Sequence, residues 1–155
     1  MNFEQYQNYL IDTATSLLSI DSTSGFTAKV TDYLIDTVKE LGYPVYKNNI
    51  GNVIVTVEGE DDSEPVALSA HVDTLGLMVR SITSDGMLMI TSIGSPLLPS
   101  LDGEYCNIHT RDGRVYTGTI LSLSPAVHVF PDASTRDRDE QNMAVRIDEI
   151  VHSKE

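Results

Sequence analysis

The chain has 155 residues, of which 41% are hydrophobic and 21% charged, enough apolar content to bury a core and to exclude intrinsic disorder. Against 23 Asp and Glu it carries only 10 Lys and Arg, and a formal charge of -13 repels phosphate backbones and anionic lipid, which excludes nucleic acid and membrane surfaces as partners. A single cysteine, Cys106, allows neither an internal disulfide nor a thiolate zinc site, and residues 1–20 lack the basic start and apolar run of a secretory signal; both point to the cytoplasm.

Phe3, Tyr6, Leu10, Ala14, Leu17 and Leu18 recur at helical spacing, so the first segment is expected to be an amphipathic helix with one stripe facing a core. It stops at Ser22-Thr23-Ser24-Gly25. A second helix follows: Thr27 is placed to cap it, Val30, Tyr33, Leu34, Val38 and Leu41 form its stripe, and Gly42 supplies a left-handed end. Pro44 forbids continuation. Short strands are expected at residues 45–47 and 52–57 around the turn Asn48-Asn49-Ile50-Gly51, and an acidic surface loop at 58–64. The consecutive Val66, Ala67 and Leu68 then suit a strand over residues 65–70 buried on both faces, as in a helix-covered sheet.

Beyond Leu75 no amphipathic helix recurs. Asp85-Gly86 and Asp112-Gly113 separate β-prone runs at 77–83, 87–93, 104–110 and 115–123, a strong hairpin signal. Met78, Met87 and Met89 are expected to fill the core of that region. Residues 132–142 are charged and read as an exposed loop, and 143–151 alternate as a closing strand with Met143, Val145 and Ile147 inward. The second half therefore reads as an antiparallel β unit.

His71-Val72-Asp73 follows the run at 65–70, at the carboxyl end of a strand, where open α/β sheets place ligands. Two readings stand. A metal-binding imidazole could be oriented by the carboxylate two residues on, or His71 could be a strand-end histidine satisfied by backbone with Asp73 opening a turn. His109, His128 and His152 have no partner at ligand spacing, Cys106 has no activating neighbour, and Ser22 to Gly25 lacks the Lys and Gly spacing of a phosphate loop. Those four residues read simply as a connection between helices.

The run Leu68-Ser69-Ala70-His71-Val72-Asp73-Thr74-Leu75-Gly76-Leu77-Met78-Val79, with Ile82, Asp85-Gly86 and Ile93-Gly94, resembles the glutamyl and tetrahedral aminopeptidase family of dinuclear metallopeptidases, some members of which are named cellulase M or endoglucanase. Ser24-Gly25, Gly51-Asn52-Val53-Ile54 and the stretch Asn142 to Glu149 match further family motifs, so the resemblance covers nearly the whole chain. It implies an α/β fold: a zinc-peptidase-like α/β/α catalytic domain, begun by residues 1–75, interrupted by an antiparallel β-barrel dimerisation domain, most of it in residues 76–155. It makes His71 a metal ligand and Asp73 the carboxylate that orients the site. It also implies two divalent ions, zinc or cobalt, per complete subunit, a peptide substrate, and self-association through the β domain.

Position 74 is Thr where many members have an acidic residue, which bears on substrate preference or metal tuning. The family's remaining ligands and its base come from a C-terminal half that would follow Glu155, so the chain is expected to be a fragment or truncated product, inactive alone. Two other functions remain in view. One is a non-catalytic assembly module derived from such an enzyme; the other is a related dinuclear deacylase, whose inserted domain would carry helices.

Overall fold

The computed structural model describes residues 3–61 and 63–151. Contacts divide the chain into two units, Met1–Leu75 and Gly76–Glu155. None of the helices among the described residues is long and apolar enough to cross a membrane.

The first unit opens with α1, Glu4–Leu18, and α2, Ala28–Glu40. Glu4 lies in the first turn of α1, where a negative charge favours the helix dipole. Thr27 stands at the N-cap position of α2, but its hydroxyl makes no capping bond; Gly42, at φ 82°, ends the helix by donating to the Lys39 carbonyl. Its buried face is narrow, with Val30 fully buried and Thr31 nearly so. That face meets a two-stranded antiparallel hairpin, β1 (Val45–Lys47) and β2 (Val53–Val55), with Tyr46 opposite Ile54. Asn48 closes the hairpin, its side-chain oxygen accepting the Ile50 and Asn52 amides.

Two expectations for this unit are not met among the described residues. The apolar stripe of α1 does not face a core: Tyr6, Leu10 and Leu18 are exposed. Residues 65–70 are not a buried strand either, Val66 being 89% and Leu68 97% exposed. A strand buried on both faces needs a neighbour on each edge and a helix on each face, and the described residues supply neither. Amphipathy and apolar runs are written in the sequence, whereas burial needs a partner.

Among the described residues the second unit forms a five-stranded antiparallel sheet in the order β3-β4-β7-β6-β5. Its strands are β3 (Gly76–Ile82), β4 (Leu88–Ile93), β5 (Tyr105–His109), β6 (Val115–Ser122) and β7 (Met143–Ile147). No pairing joins β3 to β5 among the described residues, so both are sheet edges. The two Asp-Gly hairpins share one device. In each, a threonine hydroxyl (Thr83, Thr110) donates to the turn aspartate (Asp85, Asp112), the threonine amide and carbonyl close the ends, and the glycine takes a positive φ.

Leu88, Ile90, Leu98, Ile120, Met143 and Val145 form the core, flanked by Leu77, Leu101, Cys106 and Ile108. Leu98 enters it on a short 3-10 turn, Leu98–Leu101. The last strand in sequence, β7, lies at the centre of the sheet, and Ala144 is buried as fully as Met143. Met78 is exposed and Met87 and Met89 are only half-buried, because β4 turns Leu88 and Ile90, not its methionine, to the core. Strand β7 also ends at Ile147, short of the expected 151.

Residues 132–142, expected as an exposed loop, are tied to the sheet. Ala133 is buried, Arg138 bridges to Asp102, and Glu140 accepts the Ser92 amide at 2.6 Å and the Thr91 hydroxyl at 3.0 Å. Charge here does not mean solvation. These side chains satisfy backbone and hydroxyl groups that the sheet and its connections leave open.

Candidate functional site

His71 and Asp73 lie in an extended segment of the first unit that meets the α1–α2 connection. A parallel bridge joins Thr23 to Thr74, and the Thr74 amide donates to the Ser22 carbonyl at 3.0 Å. Ser22 is fully buried, and its hydroxyl donates to the Val72 carbonyl at 2.9 Å. One short connection thus grips residues 72 and 74 by backbone and side chain.

Between those grips stands Asp73. Its Oδ2 accepts the Ser24 hydroxyl at 2.6 Å, and its Oδ1 lies 3.0 Å from Nδ1 of His71. An ionised carboxylate only accepts, so a neutral His71 ring facing Asp73 carries its proton on Nδ1 and has its lone pair on Nε2. The Ser24 hydroxyl first, and then the His71 ring, hold the Asp73 carboxyl below the usual carboxylate range. The His71 side chain is 86% exposed, so Nε2 is open to a ligand.

This pair fits one arm of a divalent metal site: an imidazole with a free nitrogen, whose other nitrogen is held by a carboxylate. A tetrahedral catalytic site takes about three protein donors. Among the described residues no three His, Cys, Asp or Glu side chains stand together in a way that could hold an ion. His109 ends β5 and His128 lies on an exposed loop of the second unit, while His152 falls outside the described residues. Cys106 is half-buried in β5, and burial, followed by the Asp148 charge, pushes its thiol up, which makes it a poor nucleophile. A groove of about 540 Å³ lies elsewhere, in the second unit beside Asp85, Met87, Arg146 and Asp148. It contains neither histidine nor cysteine, so the chemistry assigns the candidate site to His71 and not to this groove.

The participants that sequence reasoning missed are Ser22 and Ser24. Read along the chain they only join two helices; their partners lie 50 and 49 residues away. The one local sign is the pair Ser24-Gly25, in which Gly25, at φ 85°, turns the chain while the Phe26 amide returns to the Thr23 carbonyl.

Residues 51–155 match the M42 glutamyl aminopeptidase family. YhfE of Bacillus subtilis (strain 168) is 44% identical over 138 residues, which cover 89% of this chain and 40% of that protein. The glutamyl aminopeptidase of Lactococcus lactis subsp. cremoris (strain MG1363) is 35% identical over 108 residues, covering 68% of this chain and 30% of the relative. Among solved structures, an aminopeptidase from the archaeon Desulfurococcus kamchatkensis superposes with a TM-score of 0.81 at 25% identity, over 96% of this chain and 39% of that one. The TET1 peptidase of Pyrococcus horikoshii, described as assembling into a tetrahedron or a large octahedral shell, gives 0.75 at 26% identity, over 93% and 41%. The chain thus spans about 40% of the length of several of these relatives. With the family match extending over most of the sequence, this chain belongs to the M42 glutamyl aminopeptidase family.

Proposed function

We propose that the polypeptide carrying this chain is a cytoplasmic metalloaminopeptidase that removes N-terminal residues from peptides. One observation supports this above all: Asp73 holds Nδ1 of His71 at 3.0 Å and leaves Nε2 exposed as a donor atom. In this reading His71 is a metal ligand and Asp73 orients its ring. The relatives' greater length suggests that the other ligands and the proton-shuttling base stand outside these 155 residues. Two divalent ions, zinc or cobalt, would supply an activated water and polarise the scissile carbonyl. Residues 1–75 then begin the catalytic domain, and 76–155 make most of an inserted β domain that pairs subunits, its described strands forming an open sheet with β3 and β5 at the edges. The exposed apolar side chains of α1 and of residues 65–70 are surface that the rest of a longer chain would cover.

The test is turnover. The polypeptide encoded by the whole reading frame should release N-terminal residues from aminoacyl anilides when supplied with zinc or cobalt, and His71→Ala should abolish that release and lower bound metal. Unchanged metal stoichiometry and affinity in the variant would remove His71 from the site.

A second reading is a non-catalytic assembly module, favoured by the absence of a three-donor cluster among the described residues. It expects self-association without turnover. A deacylase reading has less support, since the described part of the second unit contains only the short turn Leu98–Leu101 in place of helices.

A further inference from the structure

We propose that Ser24 is a positioning residue for His71, acting through Asp73: its hydroxyl fixes the carboxylate so that the ring keeps its proton on Nδ1 and presents Nε2. This rests on the reading of His71 as a metal ligand only for its purpose; the geometry stands without it.

Asp73 has two oxygens and two partners, one on each side. Oδ2 takes the Ser24 hydroxyl at 2.6 Å, and Oδ1 faces Nδ1 of His71 at 3.0 Å. A carboxylate anchored at one oxygen cannot turn about its terminal bond without breaking that anchor, so Ser24 sets the plane in which Oδ1 meets the ring. The ring itself has little else to hold it, being 86% exposed. Local chain geometry does not suffice either, because His71 and Asp73 lie outside the named strands and share no ladder.

The backbone around them is fixed independently of Ser24. Ser22 and Thr74 make the Ser22 hydroxyl to Val72 carbonyl bond and the Thr74 amide to Ser22 carbonyl bond. Removing the Ser24 hydroxyl therefore frees the carboxylate while leaving the segment in place. Ser24 itself is exposed, so its substitution leaves no cavity. Supporting groups of this kind keep a ligand in the right tautomer and raise its basicity.

The test uses the 155-residue chain without metal and reads the tautomer of His71 by long-range nitrogen-proton correlation at a pH where the imidazole is neutral. Wild type should show the proton on Nδ1. Ser24→Thr keeps the hydroxyl and should retain that signature, whereas Ser24→Val, of nearly the same shape, should lose it, as should Ser24→Ala. The expected change is about a fivefold fall in the ratio of the Nδ1 to the Nε2 tautomer, what one hydrogen bond of ordinary net worth produces. Amide spectra of the Thr and Val variants provide the check on folding. Identical tautomer ratios in Ser24→Thr and Ser24→Val would overturn the proposal, and so would a wild type protonated on Nε2. Failure of the metal reading shows elsewhere, as His71→Ala leaving the metal content of the longer polypeptide unchanged.

Discussion

Arg138 donates from Nε to Oδ2 of Asp102 at 3.2 Å, while Oδ1 of the same carboxylate takes the Ser122 amide at 3.0 Å. Both side chains are about three-quarters buried, being 26% and 28% exposed. Arg138 also donates to the Ala133 and Arg136 carbonyls, so one guanidinium ties the loop before β7 to the end of β6 through Asp102. Arg138→Ala should leave Asp102 half-paired and destabilise the β unit by about 1.5–3 kcal/mol, the range for hydrogen bonds to charged groups. Hydrogen exchange at Ser122 and along β7 measures it. Exchange unaltered from wild type would mean that the loop holds itself.

Gly118 stands in β6 opposite Cys106 on one side and Ile147 on the other. A Cβ there would lie 2.7 Å from Ile108 Cδ1, 2.8 Å from Val145 Cγ1 and 2.9 Å from the Arg146 carbonyl oxygen. Cδ1 of Ile108 is a side-chain tip that can turn aside, but Val145 is buried in the core and the carbonyl belongs to the central strand. Gly118→Ala should cost about 1–3 kcal/mol by overpacking. A denaturation midpoint equal to wild type would show that β7 yields.

Glu140 gives a prediction about acid. Ser92 first, then Thr91, hold its carboxyl below the usual glutamate range. Because folding lowers this pKa, the stabilisation is complete above the ordinary value of about 4.3 and is lost as pH falls through the lower folded value. Glu140→Gln should therefore flatten the acid limb of stability for the β unit, its curve approaching wild type as the pH drops. Curves that stay parallel would assign the acid limb to other carboxylates.

The 155-residue chain should by itself show no aminopeptidase turnover with zinc or cobalt, since no three donor side chains gather among its described residues. Metal-dependent release from an aminoacyl anilide by this chain would contradict that donor count.

Most secondary structure was legible along the chain because its signals are local. Val45 to Lys47, the end of α2 at Gly42 and the two Asp-Gly hairpins need only neighbours a few residues away: a φ that glycine alone takes freely, a threonine hydroxyl reaching an aspartate two residues on. The contact between His71 and Asp73 was legible for the same reason. They are two residues apart, and the chemistry of a ring with two nitrogens makes that spacing useful.

Tertiary structure decided what depends on distant partners. The periodic stripe of α1 and the apolar run at 65–70 predicted burial, yet both are exposed, since the hydrophobic effect acts only where another surface excludes water. Nothing around residue 24 announces Asp73, and nothing in the charged run 132–142 announces that Arg138 and Glu140 would reach Asp102 and Ser92. Strand β7 reaches the middle of its sheet only because β4 and β6 each leave one edge of hydrogen-bonding groups for it, and a strand's own residues do not specify which edges will be open.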